Sequence, residues 1–129
     1  METRFNEATI NRPEGNRMIE GPAVFSDLPQ ISKQLYSEKA FATNDLNGIT
    51  IFKTDNLTTV LTILKKGTHI SRNELEGPYS LLVMSGKLKI KTDGERYKLR
   101  AGQMLNLQPH VAFSIDADKE TVLLHSTVQ

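Results

Sequence analysis

From residue 48 onward the chain repeats one pattern, a short run of β-branched and aliphatic residues followed by a break at Gly, Asp, Asn or Pro. The runs are 49–54, 57–65, 79–84, 87–92, 95–100, 103–108, 111–116 and 121–128, eight short strands within the last 82 residues. Strands this short and this closely spaced predict an all-β sandwich or small barrel, since each must bury one face against another sheet. The first 47 residues read differently. Asn11-Arg12-Pro13-Glu14-Gly15-Asn16 and Gly21-Pro22 are turn signals, which make residues 1–25 an extended arm with a short strand near Met18-Ile19 or Ala23-Val24-Phe25. Ser26 or Asp27 can cap a helix carrying Pro29 in its first turn, and Leu28, Ile31 and Leu35 then recur at helical spacing, so one short helix is predicted over about residues 28–38. The predicted organisation is an arm and helix over 1–47, packed on a barrel over 48–129 or on a partner's barrel.

Composition narrows the function classes. Sixteen Lys and Arg against fifteen Asp and Glu leave a net charge of +1, so no global field draws the chain to nucleic acid or an anionic membrane, and neither is expected as a partner. Cysteine is absent, which excludes disulfide scaffolds, thiolate metal sites and Cys nucleophiles. The first twenty residues contain no apolar h-region, and the longest apolar runs, such as Leu81-Leu82-Val83-Met84, are too short to cross a bilayer, so a cytoplasmic protein is expected.

Two local patterns constrain surfaces. Lys87, Lys89 and Lys91 alternate with Leu88 and Ile90, and Arg96, Lys98 and Arg100 alternate with Tyr97 and Leu99 across Asp93-Gly94. A two-residue turn there would set Lys91 opposite Arg96, Lys89 opposite Lys98 and Lys87 opposite Arg100 on one face, either a solvated face or a site for an anion or acidic partner. In 80–84, Leu81 and Val83 point one way and Leu82 and Met84 the other, so both faces of that strand need cover. The arm and helix could supply it, or a second copy across a two-fold axis; a homodimer is the expectation.

The segments Gly67-Thr68-His69-Ile70, Tyr79 to Gly86 with its Val83-Met84-Ser85-Gly86 end, and Leu99-Arg100-Ala101-Gly102 leading to Pro109 resemble a small single-domain cupin of the RmlC-like type over about residues 48–128. The resemblance implies a double-stranded β-helix, or jelly roll, around a central pocket. In that family the first motif sets two His and a Glu between two glycines; counted from Gly67, those positions hold Asn73, Leu75 and Tyr79, with Gly86 closing the motif in register. Counted from Gly102, the position of the second motif's His holds Phe113, and Pro109 lies one residue from the family's proline. Leu75 and Phe113 have no lone pairs to give, Asn73 offers a neutral amide oxygen and Tyr79 a protonated phenol. No metal and no other cofactor is therefore expected, and the family's metal-dependent activities do not carry over by motif.

If the family geometry holds, Asn73, Leu75, Tyr79 and Phe113 point inward, joined by Leu81, Val83, Val111 and Ile115. Either these side chains fill the former metal site as a packed core, or they wall a cavity in which Asn73 and Tyr79 orient a small organic ligand. Arg72, beside the mouth, could fork toward a carboxylate or phosphate. His69, His110 and His125 lie 41 and 15 residues apart, which matches no local metal signature. A metal relocated to them, or an acid–base isomerase using Tyr79 and one histidine, is the enzymatic alternative. An interaction module working through its outer surface is the third reading.

Overall fold

The computed structural model describes residues 3–6, 17–72 and 74–129. Two antiparallel sheets face each other. One has the order β3-β4-β11-β6-β9, built from β3 (Leu46–Lys53), β4 (Leu57–Leu64), β11 (Thr121–Val128), β6 (Tyr79–Ser85) and β9 (Met104–Leu107). The other has the order β5-β10-β7-β8, built from β5 (His69–Arg72), β10 (Phe113–Ala117), β7 (Lys87–Thr92) and β8 (Arg96–Arg100). A two-stranded ribbon of β1 (Arg4–Asn6) and β2 (Arg17–Glu20) lies outside both, held by an Arg4–Glu20 ion pair at 2.9 Å.

The eight predicted runs all become strands. β5 (His69–Arg72) is not among them, because Ile70 is its one aliphatic residue and no alternating run marks it. Of the two expected positions for a strand in the arm, Met18-Ile19 forms one, within Arg17–Glu20, while residues 23–25 form none and Phe25 is 91% exposed.

Between the sheets lies the main core. Period-two alternation points Leu81, Val83, Leu88, Ile90, Ile115 and Leu123 inward, each at most 1% exposed. Val111 precedes β10 and is not part of this cluster. A second core sits on the outside of the five-stranded sheet. There α1 (Leu28–Ser37) starts at Asp27, whose carboxylate accepts from the Gln30 amide at 3.2 Å, and lays Leu28, Ile31 and Leu35 over Ile49, Leu61, Ile63 and Val122. A second, five-residue helix, α2 (Lys39–Thr43), follows directly. Asn47 ties helix to sheet, donating to the Leu35 carbonyl at 3.0 Å and to a Glu38 carboxylate oxygen at 2.9 Å. Met84 and Leu124 also pack against this cluster, so the chain's own helix covers part of the second apolar face of β6.

Gly67, Gly86 and Gly102, the glycines on which the motif counting rests, all have positive φ, at 87°, 93° and 85°. Gly86 is the most constrained: a Cβ there would lie 2.3 Å from the Glu120 carbonyl oxygen, so the turn from β6 into β7 admits no side chain. The β7–β8 hairpin has the register read from the sequence, with Lys91 opposite Arg96, Lys89 opposite Lys98 and Lys87 opposite Arg100.

Candidate functional site

Three of the motif positions, Leu75, Tyr79 and Phe113, lie in one packed cluster inside the barrel. Tyr79, first residue of β6, stacks on Phe113, first residue of β10, with ring centroids 5.0 Å apart and planes 18° from parallel. Both rings are nearly inaccessible, at 2% and 4% exposed, and Leu75 packs against the same cluster. The backbone of Arg72 pairs with Phe113 across the β5–β10 ladder; Asn73 lies outside the described residues. Offset aromatic stacking in a dry core adds roughly 0.5–1.5 kcal/mol to area burial. This end of the barrel is filled. A divalent transition metal would need converging lone pairs here, and the hydrocarbon surfaces of Leu75 and Phe113 do not fit that need.

The open space lies on the other side of Tyr79. A cleft of about 350 Å³ runs along the inner faces of β3, β4 and β11, facing Ile70 and Ile115 of the opposite sheet. Val60, Ile70, Ile115 and Leu123 give it apolar walls, while Thr50, Thr62, Tyr79 and His125 bring polar groups. Gly48 leaves bare backbone at the wall, and a Cβ there would press on the Thr62 hydroxyl at 3.1 Å. From the outside, Arg17 of the arm donates to the Thr50 carbonyl and braces this stretch of β3.

Tyr79, His125 and Thr62 form one hydrogen-bonded chain. Tyr79 Oη lies 2.9 Å from His125 Nδ1, and Thr62 Oγ1 lies 3.0 Å from His125 Nε2. The Tyr79 ring also meets the imidazole edge-on, at 5.7 Å and 79°. Two proton arrangements satisfy a neutral imidazole. In one, the phenol donates to Nδ1 and Nε2–H donates to Thr62. In the other, Nδ1–H donates to the phenol oxygen and the Thr62 hydroxyl donates to Nε2. Exchange between them moves donor capacity from one end of the chain to the other along the cleft wall. No Asp, Glu, Lys or Arg lines the cleft among the described residues.

The three histidines are not drawn together. His69 Nδ1 sits 2.6 Å from Asp116 Oδ1 on the outer face, and His110 Nδ1 sits 3.3 Å from Glu74 Oε1, both side chains more than half exposed. Only His125 faces the cleft. Of the residues expected to bind a ligand, Tyr79 lines the cleft while Leu75 and Phe113 are packed in the core behind it; the sequence offers His125 only as one of three candidate histidines and gives no reason to single out Thr50 or Thr62. The available signal was parity: His125 shares a strand face with Thr121, Leu123 and Thr127, of which Thr121 and Leu123 are fully buried.

Solved structures share this architecture. A cupin superfamily protein from Desulfitobacterium hafniense superposes with a TM-score of 0.63 at 20% identity, over 66% of this chain and 78% of that one. The chain folds as a small cupin. A conserved protein of unknown function from Streptococcus pyogenes matches over 86% of this chain and 90% of its own, with a TM-score of 0.64 at 21% identity. A salicylate 1,2-dioxygenase from Pseudoaminobacter salicylatoxidans gives a TM-score of 0.67 at 18% identity over 94% of the chain, which spans 36% of the dioxygenase. At such identities the likeness is one of fold. No protein-family model and no curated protein matches the sequence.

Proposed function

We propose that this cupin binds a small, uncharged organic molecule in the cleft beside Tyr79, without a metal. The observation that carries the reading is the Tyr79–His125–Thr62 chain, set in the wall of a largely apolar space of about 350 Å³. A concave apolar site with a few fixed polar groups is how proteins orient small ligands. The lack of ionic lining among the described residues favours a neutral ligand, one carrying a hydroxyl or carbonyl for the hydrogen-bonded chain and a compact hydrocarbon body for Val60, Ile70, Ile115 and Leu123. Phe113 and Leu75 act from behind, holding the Tyr79 ring so that its hydroxyl stays at His125.

A thermal-shift screen of small neutral alcohols, ketones and lactones tests this. Compounds that raise the melting temperature of the native protein should lose most of that shift with Tyr79→Phe and with Thr62→Val. A screen whose every hit is indifferent to both substitutions would sink the reading.

The 2.9 Å contact between a phenol and an imidazole also supports a second reading, acid–base isomerisation of such a ligand, with His125 and Tyr79 exchanging the proton. Solvent deuterium entering a bound hit, and failing to enter with His125→Gln, would favour catalysis over binding alone.

A further inference from the structure

The basic hairpin ends in an edge strand whose free side is open. Among the described residues β8 pairs only with β7, and β9, which follows it, is the edge of the other sheet and pairs only with β6. Between the two edges runs a groove of about 500 Å³ lined by the polar Arg96, Lys98 and Gln103 together with Tyr97, Leu99, Met104 and Leu105, with Met104 55% exposed.

The hydrogen-bond parity of β8 can be fixed. The Thr92 amide donates to the Glu95 carbonyl at 3.0 Å, which makes that pair a bonded one. Antiparallel ladders alternate, so Tyr97 and Leu99 bond back to β7 while the peptide groups of Arg96, Lys98 and Arg100 face the groove. Arg100 confirms the parity, because its outward amide donates to Gln103 Oε1 at 2.8 Å and its carbonyl accepts from the Gln103 amide at 3.0 Å. Arg96 and Lys98 have no such partner among the described residues.

The same strand carries a dense positive face. Lys87, Lys89, Lys91, Arg96, Lys98 and Arg100 stand in directly opposed pairs on the solvent side of β7 and β8, although the chain as a whole has a net charge of only +1. Asp116 borders this face next to Lys89 and is already paired with His69 at 2.6 Å.

We propose that the β8 edge is a docking site for an extended acidic segment of another protein, which adds as a strand by pairing with Arg96 and Lys98. Side chains on one face of a strand repeat at about 6.6–6.8 Å, so carboxylates at every second position of the guest would follow the row of cations while the alternate, apolar side chains enter the groove against Tyr97, Leu99 and Met104. A second copy of this chain is the wrong guest: β8 paired to β8 about a two-fold axis would set Lys98 against Lys98 and Arg96 against Arg100. A nucleic-acid strand fits less well, because both aromatic and apolar side chains of β8, Tyr97 and Leu99, face inward and leave no stacking platform among the cations.

The test uses the full chain and a fluorescein-labelled peptide of about six residues alternating Glu and Val. Anisotropy should show salt-sensitive binding that weakens about tenfold or more with Lys98→Glu and by a similar factor when the peptide's backbone amides are N-methylated at alternate positions. The N-methylated peptide leaves the protein untouched, so its result stands whether or not the substituted protein folds. Tyr79→Phe should leave peptide affinity unchanged, which separates this site from the cleft. Three results would overturn the proposal: no binding at low salt, equal binding of the N-methylated peptide or of one with all Glu at one end, or tighter binding of an oligonucleotide of matched charge.

Discussion

Tyr79 divides the interior of this barrel into two unlike regions. On one side its ring lies against Phe113 within a cluster that Leu75 helps close; on the other its hydroxyl reaches His125 at the edge of a cleft of about 350 Å³. The filled region occupies the motif positions that resemble a cupin metal centre, and it holds hydrocarbon where ligation would need lone pairs. The open region lies along β3, β4 and β11, away from those positions, and holds the polar atoms. A barrel core can thus give up one site to packing and keep concave, partly polar space elsewhere, provided one residue serves both.

The sharpest way to break this contrast is to empty the filled side. Phe113→Ala should cost about 3–5 kcal/mol in urea unfolding, since it removes a ring that is almost fully buried and leaves a cavity against Tyr79. A cost below about 1 kcal/mol would mean that this end is loosely packed. His125→Ala comes next. It strands two hydroxyls, so a loss of about 1–3 kcal/mol is expected together with loss of ligand-induced melting shifts.

Tyr79→Phe separates the two roles of one side chain. The stack on Phe113 survives and the hydrogen bond to Nδ1 does not, so stability should fall by about 1 kcal/mol while affinity for any cleft ligand falls about tenfold in calorimetry. Thr62→Val has the smallest expected effect on stability, under about 1 kcal/mol, because the methyl fills the space of the hydroxyl and Tyr79 still engages the ring.

The same contrast explains what could be read from sequence. The β7–β8 hairpin was legible down to its cross-strand pairs, because period-two charge alternation and Asp93-Gly94 fix register locally. The helix was legible from Asp27, Pro29 and the Leu28, Ile31, Leu35 stripe. The filled end was legible only in part: motif spacing placed Tyr79 and Phe113 together but left open whether they pack or wall a cavity, and of the expected ligand contacts Leu75, Phe113 and Tyr79, Tyr79 alone lines the cleft. The cleft was not. His125 meets Tyr79 across 46 residues and Thr62 across 63, and those meetings depend on β11 lying between β4 and β6, which no spacing along the chain announces. β5 escaped for a different reason: Ile70 is its one aliphatic residue, so no alternating apolar run marks it and what holds it in place is its pairing with β10.

The most direct test is a crystal soaked in small neutral probes such as isopropanol, cyclohexanone and phenol. Probe density should appear beside Tyr79 Oη and Thr62, against Val60 and Ile115, with none between Leu75 and Phe113. Probes lodged between Leu75 and Phe113, with the cleft along β4 and β11 left to water, would contradict the division of the barrel into a filled end and a binding end.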